Sequence, residues 1–315
     1  MSVGAVRRLS ATLTHGPWTV DVGRQFIRWG KTDIVTPTDH FAPRDFVNVV
    51  NSEFLAVSGV RTAWQARADT VDVVWVPRMT PSRMPILGQR WTVLPASSTA
   101  LTLRPVTPTF PSRDQLGVRW SRNSGGYEWS ASLFDGVNSM PDVVALPGLS
   151  PVEVLTVRQY PRLRAYGADL AAPNRWFTLK AEASVSTSPD ARTDSYVLYG
   201  VQAERQAGEW MLLAGYAGEH VTTRRVAQAF APDRGLSRAV VARASYTVDT
   251  NRSASVETAV RQNGHGVYVK GEYSQAHGPH WRATLSGVVI GGRDDDFLGQ
   301  FRSNSNVSVA LRYSY

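Results

Sequence analysis

The feature that most constrains this chain is a two-residue alternation of apolar and polar side chains that recurs along most of its length. In one segment Val197, Tyr199 and Val201 share a face, and Gly200 and Gln202 share the other. Because successive side chains of a β-strand point to opposite faces, this pattern indicates strands with one apolar and one polar face. We predict about fifteen strands, near residues 3-13, 18-29, 58-67, 71-78, 115-123, 126-135, 159-170, 175-187, 195-206, 209-219, 238-248, 252-262, 266-275, 280-290 and 305-315.

The predicted strands have the length that a tilted membrane-spanning strand needs, roughly 9 to 11 residues. No apolar run approaches the ~18 to 20 residues of a membrane-spanning helix. Alternation alone would equally fit a soluble sandwich, barrel or propeller, in which the apolar face packs inward. The lengths of the connections between strands must therefore distinguish a transmembrane barrel from these soluble folds.

Every second connection is predicted to be tight, and these turns lie at His15-Gly16, Asp69-Thr70, Ser124-Gly125, Ala172-Pro173-Asn174, Ala207-Gly208, Asp249-Thr250-Asn251 and His277-Gly278-Pro279. Most of the others are long, at about 30-57, 79-114, 136-158, 219-237 and 291-304, and two are shorter, near 188-194 and 263-265. Short turns on one rim and long loops on the other are typical of transmembrane barrels. We therefore predict an all-β, transmembrane, antiparallel up-and-down barrel that forms a single domain over 1-315.

Aromatic residues support this prediction independently, since Trp and Tyr prefer the two interfaces of a membrane. Five of them follow within about two residues of a predicted tight turn: Trp18, Tyr127, Trp176, Trp210 and Trp281. An aromatic band on the rim of the tight turns is therefore expected, and outer-membrane lipid is the expected partner.

The charge and cysteine content exclude several classes of protein. The formal net charge is +8, and only Lys31, Lys180 and Lys270 are lysines. The arginines are scattered singly among acids, whereas a nucleic-acid binder concentrates its charge in a patch, so we predict no nucleic-acid partner. The chain contains no cysteine, which excludes disulfides and thiolate metal sites.

The two ends of the chain lead to a further expectation. If Tyr315 ends at the periplasmic rim, counting back along the strands leaves Met1 on the extracellular side. Single-chain bacterial barrels have an even number of strands with both ends periplasmic, so we expect 16 or more strands in the complete protein. The first residues lack the apolar core of a secretory signal, and we expect the first strand or strands and the signal peptide to be missing from the sequence.

A longer motif begins in the second predicted strand and comprises Gly23-Arg24-Gln25, Trp29-Gly30-Lys31, Asp33, Pro37-Thr38-Asp39 and Pro43-Arg44-Asp45. It resembles the GRQ, WG, NPTD and PRD pattern of a poorly characterised group of porin-like outer-membrane barrels, although Val35 to Thr36 departs from the Asn-Pro form. The final Arg312 to Tyr315 looks like the aromatic signal that such proteins present to the barrel assembly machinery. The resemblance implies the outer membrane of a Gram-negative bacterium and says little about a substrate.

The loop that contains most of this motif concentrates opposite charges beside the predicted pore mouth, at Lys31, Asp33, Asp39, His40, Arg44 and Asp45. One interpretation is a self-neutralising network that pins the loop. The other is a constriction whose paired charges select permeants. Both remain open from the sequence.

If the apolar row faces lipid, the opposite row lines the lumen. Its charged candidates are Arg61, Arg67, Arg119, Lys180, Glu182, Arg243, Glu257, Arg261, Lys270, Glu272 and Arg312, together with Glu204 and Arg282. The register across the turn at 249-251 sets Arg243 opposite Glu257, and the next hairpin brings Lys270 close to Glu257. This row either supports the wall through cross-strand pairs or forms a wet basic stripe that favours anions.

No grouping of serine, histidine and acid indicates catalysis, and the chain has no Gly-x-Ser-x-Gly elbow. We predict no catalytic residue, cofactor or metal; Asp294, Asp295 and Asp296 could bind calcium, but a solvated acidic loop is commoner. The first functional hypothesis is a porin-like channel for small polar, possibly anionic, solutes. The alternative is a loop-plugged barrel that acts in binding, export partnership or envelope structure, and an outer-membrane hydrolase comes third.

Overall fold

A computed structural model describes residues 6–85, 88–92, 101–224 and 234–314. Its main element is one antiparallel sheet of fifteen strands in which each strand pairs with the next along the chain. Numbered with the smaller strands in chain order, they are β1 (Leu9–His15), β2 (Trp18–Gln25), β5 (Val57–Ala66), β6 (Asp69–Val76), β8 (Gln115–Ser124), β9 (Tyr127–Val137), β12 (Arg162–Pro173), β13 (Thr178–Thr187), β14 (Ser195–Ala207), β15 (Trp210–Thr223), β16 (Ala239–Thr247), β17 (Arg252–Arg261), β18 (Gly266–His277), β19 (Trp281–Gly292) and β20 (Asn306–Tyr313). All fifteen predicted strands are confirmed.

The connections alternate between tight turns and longer segments, as the sequence predicts. One predicted turn was placed wrongly: Asp69 and Thr70 belong to β6, and the turn consists of Arg67 and Ala68. Arg67 has a positive φ of 53°, which lets the chain reverse there. We call the two ends of the barrel the turn rim and the loop rim.

The two faces of the sheet differ as the alternation predicts. In β14 Tyr199 and Val201 are exposed on the outside, whereas Gln202 is 1% exposed on the inside. The predicted aromatic band is also present, since Trp18, Tyr127, Trp176, Trp210 and Trp281 are all about half exposed at the turn rim. The apolar row therefore faces outward and the polar row faces the lumen.

The sheet wraps around residues 26–56, which follow β2. This one segment contacts the inward residues Gly117 of β8, Glu182 of β13 and Gly215 of β15. Val49 of the same segment packs in one cluster with Val241 of β16 and Ile290 of β19. A single connection can touch so many strands only if the sheet curls into a barrel.

The sheet ends at β1 and β20, which are not paired with each other within the described residues. Since all neighbours are antiparallel, the first and fifteenth strands run in the same direction. Only an odd number of additional strands could join them by antiparallel pairing. The expectation of sixteen or more strands stays a prediction.

Five short strands that the sequence did not predict lie in the longer connections. β3 (Arg44–Asp45) pairs with β4 (Glu53–Phe54), and β10 (Asp142–Pro147), β11 (Glu153–Gln159) and β7 (Thr102–Pro105) form a three-stranded sheet at the loop rim. A 3-10 helix (Gly299–Asn304) precedes β20. Among the described residues we find no helix with the length and apolar character of a membrane span.

Candidate functional site: the lumen loop and its passage

Residues 26–56, which we call the lumen loop, enter the barrel from the loop rim instead of lying at its mouth. Ile27, Trp29 and Phe41 are almost fully buried and pack on inward side chains of β5, β6, β9 and β12. Phe41 meets Trp29 and Phe134 edge to face, at centroid distances of 5.3 and 5.0 Å. These aromatic contacts anchor one part of the loop in an apolar core.

Glycines on the inner wall make room for the loop. A Cβ atom at Gly117 would lie 2.5 Å from Phe41 and 2.7 Å from Trp29, and one at Gly167 would lie 2.6 Å from Thr38. Gly200 and Gly215 similarly face Thr32, Val35 and Ile34. Side chains larger than glycine at Gly117, Gly167 and Gly215 would collide with the loop, whereas a Cβ atom at Gly200 would come no closer to it than 3.3 Å.

Glu182 of β13 binds the tip of the loop. Its carboxylate accepts backbone N–H groups from Lys31 (2.7 Å), Thr32 (3.0 Å) and Thr38 (2.7 Å). The hydroxyls of Thr38 and Thr32 lie 2.8 and 3.0 Å from it, and the Thr32 hydroxyl also contacts the Val35 carbonyl, so its proton serves one acceptor at a time. The predicted lumen residue Glu182 therefore holds the loop and is only 2% exposed.

The loop also folds around one of its own acids. Asp39 accepts the N–H groups of Trp29 at 2.6 Å and Gly30 at 2.7 Å, and it pairs with Arg28 at 3.1 Å. Gln202 of β14 exchanges two hydrogen bonds with Asp33, at 2.8 and 2.9 Å. These contacts fix the backbone between residues 28 and 40.

The charged residues of the loop pair mainly with groups outside it. Lys31 pairs with Glu128 of β9, Asp33 lies 3.9 Å from Lys180, and Asp45 pairs with Arg83 at 3.0 Å. Arg44 donates to Ser52 and Thr36 and its guanidinium covers the ring of Phe54. The interpretation of a network that neutralises itself within the loop was therefore incomplete, because most partners lie on other segments.

Two predicted lumen arginines take part in wall ion pairs. Arg61 binds Asp72 of the neighbouring strand at 2.8 Å. Arg119 binds Asp169 at 3.0 Å across the strand between them. Lys180, besides facing Asp33, pairs with Glu204 at 2.7 Å. The basic side chains on the half of the wall beside the loop are thus paired with carboxylates.

The opposite half of the wall carries charges that are less tightly paired. The register sets Arg243 opposite Glu257 and Glu257 opposite Lys270, as predicted. Lys270, however, pairs with Glu272 at 3.1 Å. Within the described residues, Arg243 and Glu257 have no ion-pair partner, and Arg243 is exposed.

The remaining candidates lie away from the middle of the lumen. Arg67 lies in a turn, and Arg261 binds Asp296 and the carbonyls of Gly235 and Ser237 at the loop rim. Arg312 faces Arg282 at the turn rim. Asp294 and Asp295 are 73% and 67% exposed, as expected for a solvated loop, and pair with Arg302 and Arg293, whereas Asp296 is buried against Arg261. Tyr315, the predicted contact with the assembly machinery, lies outside the described residues.

A cavity of about 300 Å³ runs beside the lumen loop. Its lining includes Arg44, Phe46 and Met140 of the longer connections and, in the middle of β16 and β17, Arg243 and Glu257. Residues 33–37 form one side, and inward residues of β14 to β18 form the other. We call this cavity the passage; at ~30 Å³ for each water it could hold about ten water molecules.

The loop rim beside the passage is largely apolar. Leu298 and Phe301 fold inward over β16 to β19 and pack with Val49 and Trp91. Trp91 and Phe301 lie 5.4 Å apart, centroid to centroid. Three segments, which carry Val49, Trp91 and the pair Leu298 and Phe301, therefore meet here and fill this part of the lumen.

One Ser-His contact arises only in three dimensions. His40 lies 3.1 Å from the Ser184 hydroxyl and stacks on Phe134. Ser184 is 1% exposed, and Asp39 is bound to backbone N–H groups instead of to His40. The contact positions the loop and lacks the accessible nucleophile of a hydrolase.

Comparison with solved structures places this geometry among known folds. The crystal structure of OccAB4, an outer-membrane porin of Acinetobacter baumannii, matches with a TM-score of 0.53 and 10% identity, over 96% of this chain and 71% of that chain. The fold is that of a porin barrel. Identity this low supports the fold alone. No family model and no curated protein matches the chain, so the resemblance to the particular GRQ group stays a prediction.

Proposed function

We propose that the protein is an outer-membrane channel of the porin type, for small polar solutes with a modest preference for anions. The observation that carries the proposal is the passage, which continues beside the lumen loop from Arg44 to Arg243. Its width is set by the position of residues 33–37. The outward apolar row and the aromatic band support a membrane location.

The preference for anions is inferred from Arg243 on the passage, which has no ion-pair partner among the described residues. Arg243 is exposed to the lumen, and Arg282 and Arg312 face each other nearer the turn rim. Exposed basic groups in a narrow lumen raise the local concentration of anions. The acids Glu257 and Glu272 keep the preference modest.

A planar bilayer recording tests the proposal. We expect stepwise conductance, and a reversal potential in a KCl gradient that indicates chloride over potassium. Fractionation of cell envelopes supplies the test of location, since we expect the protein to stay with the membrane after carbonate extraction.

A plugged barrel is the second candidate, and the apolar filling of the loop rim favours it. Ile27, Trp29 and Phe41 fill one side, and Leu298 and Phe301 fill the other. Such a barrel would act in binding, export partnership or envelope structure. It would show no steady conductance in the same recording.

A further inference from the structure

We propose that Glu182 is a positioning residue that holds residues 31–38 flat against the wall, and that this contact keeps the passage open. The inference rests on the proposed channel function. It predicts that release of the loop closes the passage, whereas a loop that acts as a plug would open the passage when released.

The contacts at Glu182 converge from two ends of the segment. Oε2 accepts the N–H groups of Lys31 and Thr32, and Oε1 accepts the N–H and hydroxyl groups of Thr38. Hydrogen bonds to a buried ionised carboxylate are among the strongest in proteins. One side chain therefore ties together both ends of the segment that borders the passage.

The wall beneath this segment presents few large apolar side chains to it. Directly beside Glu182 the inward residues of β12 to β14 are small or polar, namely Gly167, Ser184, Gly200 and Gln202, and the apolar Leu198 lies one position farther, opposite Ser184. The aromatic anchor at Trp29 and Phe41 lies instead on β8 and β9. Residues 31–38 are therefore held to the wall mainly by polar contacts with Glu182 and Gln202, while Ile34 and Val35 pack over the small residues Gly215 and Gly200.

The free space lies on the other side of the segment. Residues 33–37 border the passage, and Leu213, Val241 and Arg243 border it from the opposite wall. When the segment leaves Glu182 while Trp29 and Phe41 stay anchored, the open side is the passage, where Ile34 already packs against the cluster of Val241 and Ile290. Loss of the contact should therefore narrow the passage.

The first experiment compares single-channel recordings of the wild-type protein and Glu182→Ala in planar bilayers. We expect the time-averaged conductance to fall at least about tenfold, because Glu182→Ala removes every hydrogen bond at this carboxylate and the loss of a single charge-assisted one already shifts an equilibrium about tenfold. A conductance that rises or stays unchanged in Glu182→Ala would overturn the inference and leave the channel function intact.

A disulfide tests whether position, and not folding, causes the loss. A Cβ atom built at Gly200 lies 3.9 Å from the Cβ of Thr32. This is within the disulfide range of about 3.5–4.5 Å, and the chain has no cysteine of its own. In Thr32→Cys/Gly200→Cys/Glu182→Ala, we expect oxidation to restore conductance and reduction to remove it again.

A matched control places the disulfide in the wall away from the loop. The hydroxyl oxygens of Ser286 and Ser308 lie 2.8 Å apart on β19 and β20. In Ser286→Cys/Ser308→Cys/Glu182→Ala, oxidation should leave conductance at the low level of Glu182→Ala. Rescue by this control, or failure of the Thr32 and Gly200 disulfide to rescue, contradicts the inference.

Thiol labelling separates failure of the inference from failure of the proposed function. Thr32 is 2% exposed, so Thr32→Cys should react slowly with a membrane-impermeant maleimide and at least about tenfold faster when Glu182→Ala is added. If the wild-type protein does not conduct, the channel proposal fails, but faster labelling would still show that Glu182 positions the loop. Equal labelling rates would overturn the positioning role itself.

Discussion

Arg119 and Asp169 form an ion pair that spans three strands of the inner wall. Nη2 of Arg119 lies 3.0 and 3.2 Å from the two carboxylate oxygens of Asp169. Ser130, on the strand between them, accepts a hydrogen bond from Nε of Arg119 and donates one to Asp169. The side chains of Arg119 and Asp169 are 11% and 1% exposed, so the pair is shielded from water.

Replacing Asp169 by Asn should therefore destabilise the barrel, because Arg119 would keep its charge without a carboxylate. Breaking a buried ion pair from one side costs about 3–5 kcal/mol. The measurement is the free energy of unfolding by guanidinium in phospholipid vesicles. Asp249→Asn is the control, since Asp249 lies in a turn, its partner Arg252 is exposed at the start of β17, and little change is expected. Equal stability of the two variants would contradict this account.

Gly117→Ala should disturb the aromatic anchor of the lumen loop. The added methyl group would lie 2.5 Å from Phe41 and 2.7 Å from Trp29, and overpacking of this kind costs about 1–3 kcal/mol. Gly287→Ala is a matched change, because a Cβ atom there meets nothing within 4 Å. We expect unfolding at lower denaturant concentration only for Gly117→Ala.

Neighbouring residues of β17 test which face borders hydrocarbon. Val256 is 53% exposed on the outer face, and Ser255 points into the lumen. Arginine on the lipid face costs ~2–4 kcal/mol at the bilayer midplane, so Val256→Arg should insert into vesicles less completely than Ser255→Arg. The reverse order would mean that the two faces are assigned wrongly.

Arg243→Glu should change the ion preference of the channel. The substitution replaces an exposed cation of the passage by an acid beside Glu257, so the reversal potential in a KCl gradient should shift toward potassium selectivity. Arg175→Glu makes the same change of charge in a turn beside Trp176, outside the passage. It should leave the reversal potential close to the wild-type value.

His40 should make stability fall in acid. Burial lowers the pKa of His40 to about 4, although Asp39 nearby opposes the shift. In the unfolded chain His40 has an ordinary pKa of 6.5, so the unfolded state binds a proton more readily than the folded state. The stabilisation that neutral, buried His40 contributes is therefore complete above pH 6.5 and is lost as the pH falls toward 4. His40→Gln should therefore lose less unfolding free energy than the wild-type protein between pH 7.5 and 4.5, and an equal loss in both proteins would contradict the assignment.

Most of the sheet could be predicted because each strand carries its own pattern. The row Val197, Tyr199 and Val201 requires an apolar neighbour wherever the strand lies, and glycines mark most of the turns. The error at Asp69 and Thr70 arose because the turn uses Arg67, a residue type that rarely takes a positive φ. Local sequence contains no strong signal for such a turn.

The candidate site could be predicted only as a set of residues. The contact between Thr32 and Glu182 joins positions 150 residues apart, and the contact between Asp33 and Gln202 joins positions 169 apart. The charged residues of the motif indicated that residues 31–45 form part of the candidate site. It could not indicate that Glu182, expected in the wetted wall, binds their backbone.

The sequence by itself determined the strand order, the outward face and the rim that carries the aromatic band, because a period of two residues and short turns act within each hairpin. Only the tertiary structure decided what fills the lumen. Loop 26–56 has no period of its own, and its path depends on where curvature brings Gly117, Glu182 and Gly215 of distant strands. Curvature is a property of the whole sheet, so no local stretch of sequence specifies it.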